Sequence, residues 1–138
     1  VRRIYELLEG NTYCMQRTFH EAFANTATDG DCTTEILEQS IRSILEDNGH
    51  TYSRMLAQIP TRQKELLYAI ASEGKADKVL GSAFIKRHSL QSASSVQAAL
   101  KKLLALDFIT MEESYYTLPD RFMSLYIKLR QNPSMRLL

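Results

Sequence analysis

The side chains best able to bind a metal or attack a substrate are sparse in this chain. Three histidines, His20, His50 and His88, fall on separate stretches, and the two cysteines, Cys14 and Cys32, form no CxxC and have no histidine at metal-ligand spacing. No glycine-rich loop ends in Lys-Ser or Lys-Thr, and GxSxG, HExxH and spaced carboxylate pairs are absent. The expectation is therefore no catalytic residue, no metal and no cofactor within these residues, with both cysteines reduced. What the sequence does offer is a polar, basic face. When the apolar stripe Val96, Leu100, Leu103 and Leu104 is set aside, Ser94, Ser95, Gln97, Ala98, Lys101 and Lys102 remain on the opposite side, and Lys86, Arg87 and His88 stand just ahead. Serine and glutamine can read base edges and lysine can neutralise phosphate. The same residues equally serve as a solvated or protein-docking face.

The elements that position this face follow from periodicity and punctuation. Residues 1–9 read as the last turns of a helix closed by Gly10-Asn11, a pair suited to a left-handed cap. Thr12 is expected to cap a helix over 13–26 with Met15, Phe19, Ala22 and Phe23 inward, followed by a polar loop from Asn25 to Asp31. Thr33 or Thr34 caps a long amphipathic stretch from Ile36 to Ile59, in which Gly49 implies one kinked helix or two in succession. Pro60 opens a helix over 61–73 that buries Leu66, Leu67, Ile70 and Ala71 and ends at Gly74. A short helix over 81–88 buries Phe84 and Ile85, and Ser92 or Ser94 caps a helix through Leu106. The period then changes: Phe108 to Met111 and Tyr115 to Leu118 flank the polar turn Glu112-Glu113-Ser114, which predicts a β-hairpin. Pro119-Asp120 begins a last helix with Phe122, Leu125, Tyr126 and Leu129 inward, and the tail after Pro133 is expected to fray.

Helix, helix, turn, helix and hairpin between residues 61 and 118 is the winged-helix order. The fold expected is mainly α: a helical, lid-like segment over 1–59, then a winged helix-turn-helix domain over 60–138 with a small β-hairpin wing. Charge divides along the same line. Residues 1–59 hold 5 Lys/Arg against 9 Asp/Glu, a net of −4, whereas residues 60–138 hold 12 against 7, a net of +5. A polyanion partner belongs on the second unit. Two features weaken direct DNA reading: no arginine stands on the helix over 93–106, although Arg to guanine is the commonest specific contact, and Glu112 and Glu113 occupy the wing tip. No stretch approaches the roughly 18 apolar residues of a membrane span, so no membrane partner and a cytoplasmic setting are expected. The chain starts Val1-Arg2-Arg3, inside an apparent helix and without methionine, which reads as the edge of a longer protein.

The segment GSAFIKRHSLQSASSVQAALKKLLALDFI, followed by YYTLPDRFMSLYIK, resembles the C-terminal winged helix of the archaeal-type P-loop ATPases, relatives of the STAND class of AAA-like ATPases. Ser92 to Leu100 is the most specific part, and the similarity covers about residues 60–130. Upstream, Leu8 to Tyr13 is similar to the point where a Gly-x-Pro motif starts the helical lid of such ATPases, with Thr12 where that motif has its proline. A loop joining two helices accounts for Gly10 equally well. The resemblance implies that this piece is lid plus winged helix. It also implies that the P-loop, ATP and Mg²⁺ belong to an ATPase domain ahead of Val1, itself a partner, and that the winged helix is a regulatory arm for a protein or double-stranded DNA. The alternative is a DNA-binding transcription regulator whose residues 1–59 serve dimerisation.

Overall fold

The computed structural model describes all 138 residues, from Val1 to Leu138. Helix α1 (Arg2–Leu7) ends in Glu9 and Gly10, both at positive φ. At Gly10 this matters: φ is 69°, and a Cβ there would lie 2.9 Å from the Tyr5 ring, so the turn into the next helix requires glycine.

Helix α2 (Thr12–Asn25) is capped by Asn11, whose Oδ1 accepts the Cys14 N–H at 2.9 Å. The cap is thus one residue earlier than Thr12, because Asn11 takes the extended conformation that a cap needs. The buried face is also rotated from the expected one. Cys14, Thr18 and Ala22 are buried, Met15 and Phe19 are half-buried, and Phe23 is 82% exposed. A polar residue can occupy the buried stripe because the Thr18 hydroxyl donates to the Cys14 carbonyl at 2.8 Å. A rule that counts apolar residues alone misses this.

Helix α3 (Thr34–Ala57) is capped by Thr33, whose hydroxyl accepts the Ile36 N–H at 3.2 Å, and it runs unbroken through Gly49. It buries Ile41, Ile44, Leu45, Tyr52 and Leu56 between α2 and the last helix, while Met55 faces outward.

From Pro60 onward the order expected from sequence is present. Helix α4 (Thr61–Glu73) buries Leu66, Leu67, Ala69, Ile70 and Ala71, and Gly74 closes it at φ 74°. Helix α5 (Ser82–Arg87) buries Phe84, with Ile85 half-buried. Helix α6 (Ala93–Ala105) is capped by Ser92, whose Oγ accepts the Ser95 N–H at 3.2 Å, and it buries Val96, Ala99, Leu100 and Leu103. Strands β1 (Thr110–Glu112) and β2 (Tyr115–Thr117) pair antiparallel with Thr110 opposite Thr117, Met111 opposite Tyr116 and Glu112 opposite Tyr115. The two-residue loop is Glu113-Ser114, tighter than the three-residue turn expected. The hairpin is not free-standing. Ala76, in the connector after α4, exchanges both backbone hydrogen bonds with Tyr116 at 2.9 and 2.7 Å, so the wing is fastened to α4.

Helix α7 (Arg121–Gln131) is capped by Asp120, whose carboxylate accepts the Met123 N–H at 3.1 Å. It buries Phe122, Met123, Leu125 and Ile127 and packs on both α3 and α4, with Tyr126 and Leu129 half-buried. The tail corrects another expectation. Instead of fraying after Pro133, it returns to α3: the Arg42 guanidinium donates to the Met135 carbonyl at 2.8 Å, Glu38 accepts the Leu137 N–H at 3.2 Å, and Leu137 is buried. The apolar core is one continuous cluster reaching from Ile4 to Leu137.

Candidate partner and nucleic-acid interface

Helix α6 holds its outward face at a fixed angle because three contacts locate it: the buried stripe against α4, the Ser92 cap and the docking of α5. Ser94, Gln97, Ala98, Lys101 and Lys102 are exposed on that face, and Ser95 is half-buried. The two serines are partly committed to the helix start. Ser95 gives its N–H to Ser92, and the Ser94 hydroxyl lies 3.3 Å from that of Ser92. Gln97, Lys101 and Lys102 keep their full hydrogen-bonding capacity for a partner.

Lys86 and Arg87 end α5, next to α6, and differ from each other. Lys86 is exposed and in no ion pair, whereas the Arg87 guanidinium sits 2.6 Å from the Glu73 carboxylate of α4 and 5.6 Å from the Phe84 ring centre. Glu73 also lies 3.2 Å from Nε2 of His88, which is buried without a well-formed hydrogen bond. Arg87 therefore fastens α5 to α4, and its charge is largely neutralised within the chain.

Sequence reasoning missed the apolar part of this region. Leu106, at the end of α6, is 53% exposed, and Met111, on the wing, is 58% exposed. The wing's alternation could have flagged Met111, since Thr110 and Glu112 flank it and Tyr116 lies opposite. Tyr115 and Tyr116 are both half-buried, because the bridge to Ala76 covers one side and Lys75 lies 5.3 Å over the Tyr115 ring. The Tyr115 hydroxyl donates to Glu112 at 3.1 Å, a bond that raises its pKa above the usual tyrosine value. Asp107, Glu112 and Glu113 are all exposed at this end. The electrostatic character is mixed: Lys86, Lys101 and Lys102 are offset by those carboxylates, and the wing tip repels phosphate.

Elsewhere the molecule has two clefts that sequence did not announce. An apolar groove of about 550 Å³ runs beside Phe23, between α2 and the loop holding Cys32. A polar cleft of about 350 Å³ opens where α2 and α7 begin, lined by Asn11, Tyr13, Asn48 and Asp120. At its edge the Tyr52 hydroxyl donates to both oxygens of Asp120 at 3.3 Å. Burial, the Asp120 charge and that hydrogen bond all push the Tyr52 pKa up. The neighbouring Cys14 thiol is pushed up to about 11 by burial and by Asp120, against the opposing pull of the Phe122 and Arg121 backbone amides. A thiol so disposed stays protonated and unreactive at neutral pH. No group of three or more His, Cys, Asp or Glu side chains is placed to hold a metal ion, and no helix is long and apolar enough to cross a membrane.

A family model described as a probable winged helix domain matches residues 50–129. No curated protein and no solved structure matches the chain.

Proposed function

The chain belongs to the probable winged helix domain family, and from that premise we propose that it is a non-catalytic regulatory module that docks a protein partner through α6 and the wing. The observation that carries this reading is the make-up of the exposed face. Lys101 and Lys102 flank Ala98 and Ala105 and lead to exposed Leu106 and Met111, with Glu112 and Glu113 at the tip. Protein interfaces combine an apolar centre with a polar rim, whereas a phosphate backbone needs an excess of cations. Lys75, Lys86, Lys101 and Lys102 against Asp107, Glu112 and Glu113 leave only a slight excess of cations.

The same proposal places this module in a longer P-loop ATPase. The supporting observation is the likeness of residues 60–130 to the winged helix of those enzymes, with Leu8 to Tyr13 at the position of their lid. ATP and Mg²⁺ then belong to a nucleotide-binding domain ahead of Val1, which is itself a partner of this module, and the setting is cytoplasmic. Reading the coding sequence upstream of Val1 tests this part: a GxxxxGK[ST] motif there supports it, and its absence overturns it.

DNA is the second reading, favoured by the free lysines Lys86, Lys101 and Lys102 and by the accessible Gln97. Ser94, Ser95 and Arg87 complete the set of residues proposed for contact, with Ser94 and Arg87 contributing least because the serine hydroxyl lies against Ser92 and the guanidinium is paired with Glu73. Titration of the chain into labelled mixed-sequence duplex DNA at low and near-physiological salt separates the readings. Micromolar or tighter binding that weakens steeply with salt establishes the DNA reading, and no binding at low salt leaves the protein partner.

A further inference from the structure

A third cavity, of about 180 Å³, opens where α3, α4 and α7 meet, on residues that play no part in the face just described. Lys64, on the first turn of α4, and Arg130, on the last turn of α7, both line it, with Tyr68, Tyr126, Ser53 and Leu56 among the rest of its wall. No carboxylate lines it. Bringing two cations to one concavity is unfavourable unless an anion joins them, and Glu65, beside Lys64 in sequence, is turned to Arg62 at 3.2 Å instead.

The arginine is also held ready. Its Nη1 donates to the Tyr126 hydroxyl at 2.9 Å and its guanidinium lies 5.6 Å from the centre of that ring. These contacts fix the planar fork and leave its other N–H groups to be used. Lys64 is half-buried and in no ion pair, so its ammonium is available to an oxyanion. The hydroxyls of Tyr68 and Ser53 add donors of the kind that bind phosphate oxygens.

We infer that this cavity binds a small oxyanion, a phosphate group by size and charge, held between Lys64 and Arg130 with Tyr68 and Tyr126 as its aromatic walls. One nearby carboxylate bears on it. Glu46 lines the adjoining cleft, which shares Tyr126 and Arg130 with the cavity, and its charge opposes an anion held there. The bound anion ties α4 to α7 and rests against α3, which makes it a stabiliser of the packing between the helical segment and the winged helix. The inference is independent of what α6 binds.

The test is titration of the chain with inorganic phosphate and with phenyl phosphate at constant ionic strength, followed by calorimetry and by the NMR signals of Tyr68 and Tyr126. Saturable binding is expected. Arg130→Gln and Lys64→Gln should each weaken it by about tenfold or more, since each removes a charge-assisted hydrogen bond. Glu46→Gln should tighten it, and Lys78→Gln, an exposed lysine outside both the cavity and the α6 face, should leave it unchanged. Tighter binding of phenyl phosphate than of inorganic phosphate assigns the site to a phosphomonoester, and equal binding assigns it to the free ion. No saturable response to either probe, or the same affinity in Arg130→Gln and Lys64→Gln as in the parent chain, overturns the inference. Both variants alter partly exposed side chains, and unchanged circular dichroism will show that they fold.

Discussion

Helices α3 and α6 are built alike and end differently. Each has a hydroxyl N-cap and one apolar stripe at helical spacing. In α3 the flanks as well as the stripe are used, because α2 covers one side, α7 another, and the returning tail takes up Glu38 and Arg42. In α6 the covering stops at the stripe, and Gln97, Ala98, Lys101 and Lys102 meet no other element. Amphipathicity alone does not distinguish a structural helix from a presenting one; what matters is whether the polar side chains find partners inside the chain.

That contrast is broken most strongly from the inside. Leu103 and Ile44 are nearly inaccessible and lie on the stripes of α6 and α3. Leu103→Ala and Ile44→Ala should each cost about 2–5 kcal/mol in urea denaturation, by lost burial and the cavity left behind. If Leu103→Ala shifts stability by less than about 0.5 kcal/mol, α6 is not anchored as described.

The second effect is pH dependence and belongs to the α3 side of the comparison. Cys14 has its pKa raised from 9.0 to about 11 in the folded chain, chiefly by burial. Above about pH 9 the unfolded thiol loses its proton while the folded one keeps it, so rising pH favours unfolding until about pH 11. Tyr52 pulls the same way, starting from its ordinary value of 10.0. The urea midpoint should therefore fall between about pH 9 and 11, and Cys14→Ala should delay the onset of that fall towards pH 10. A midpoint that stays level to pH 11 would place Cys14 and Tyr52 in water.

A third change acts on the α6 side alone. Lys101→Ala with Lys102→Ala should leave the unfolding free energy in urea within about 0.5 kcal/mol of the parent chain's, as expected for exposed residues in no ion pair. If DNA is bound, the log-log salt slope should drop by about two phosphate contacts. A large stability loss would show that these lysines hold the fold together.

Much of residues 60–118 was legible because its signals are local. Pro60, Gly74, Ser92 and the change of period after Asp107 each act within a few residues, and the structure places α4, α5, α6 and the hairpin between them. What was not legible depends on residues far apart in sequence. The tail is held by Glu38 and Arg42, the wing by Ala76, and α2 turns Phe23 outward because Thr18 has a backbone partner. On the candidate interface, the positions of Gln97, Lys101 and Lys102 follow from period alone. The neutralisation of Arg87 by Glu73 and the exposure of Leu106 and Met111 require the fold.

The smallest effect concerns Arg87 and separates its two roles. If Arg87 chiefly fastens α5 to α4, Arg87→Ala should cost about 0.2–1 kcal/mol, the range for an ion pair that solvent still reaches through the half-exposed arginine, and Glu73→Ala a similar amount. The two losses should add only in part, because both changes remove the Arg87–Glu73 contact while each also removes one of its own, to Phe84 or to His88, so the double variant should cost less than the sum of the two. Partner binding should be unchanged by Glu73→Gln if the arginine is occupied with its structural task. If instead Glu73→Gln strengthens partner binding, a freed Arg87 has joined Lys86 at the docking surface, and Glu73 is the residue that had been keeping it away.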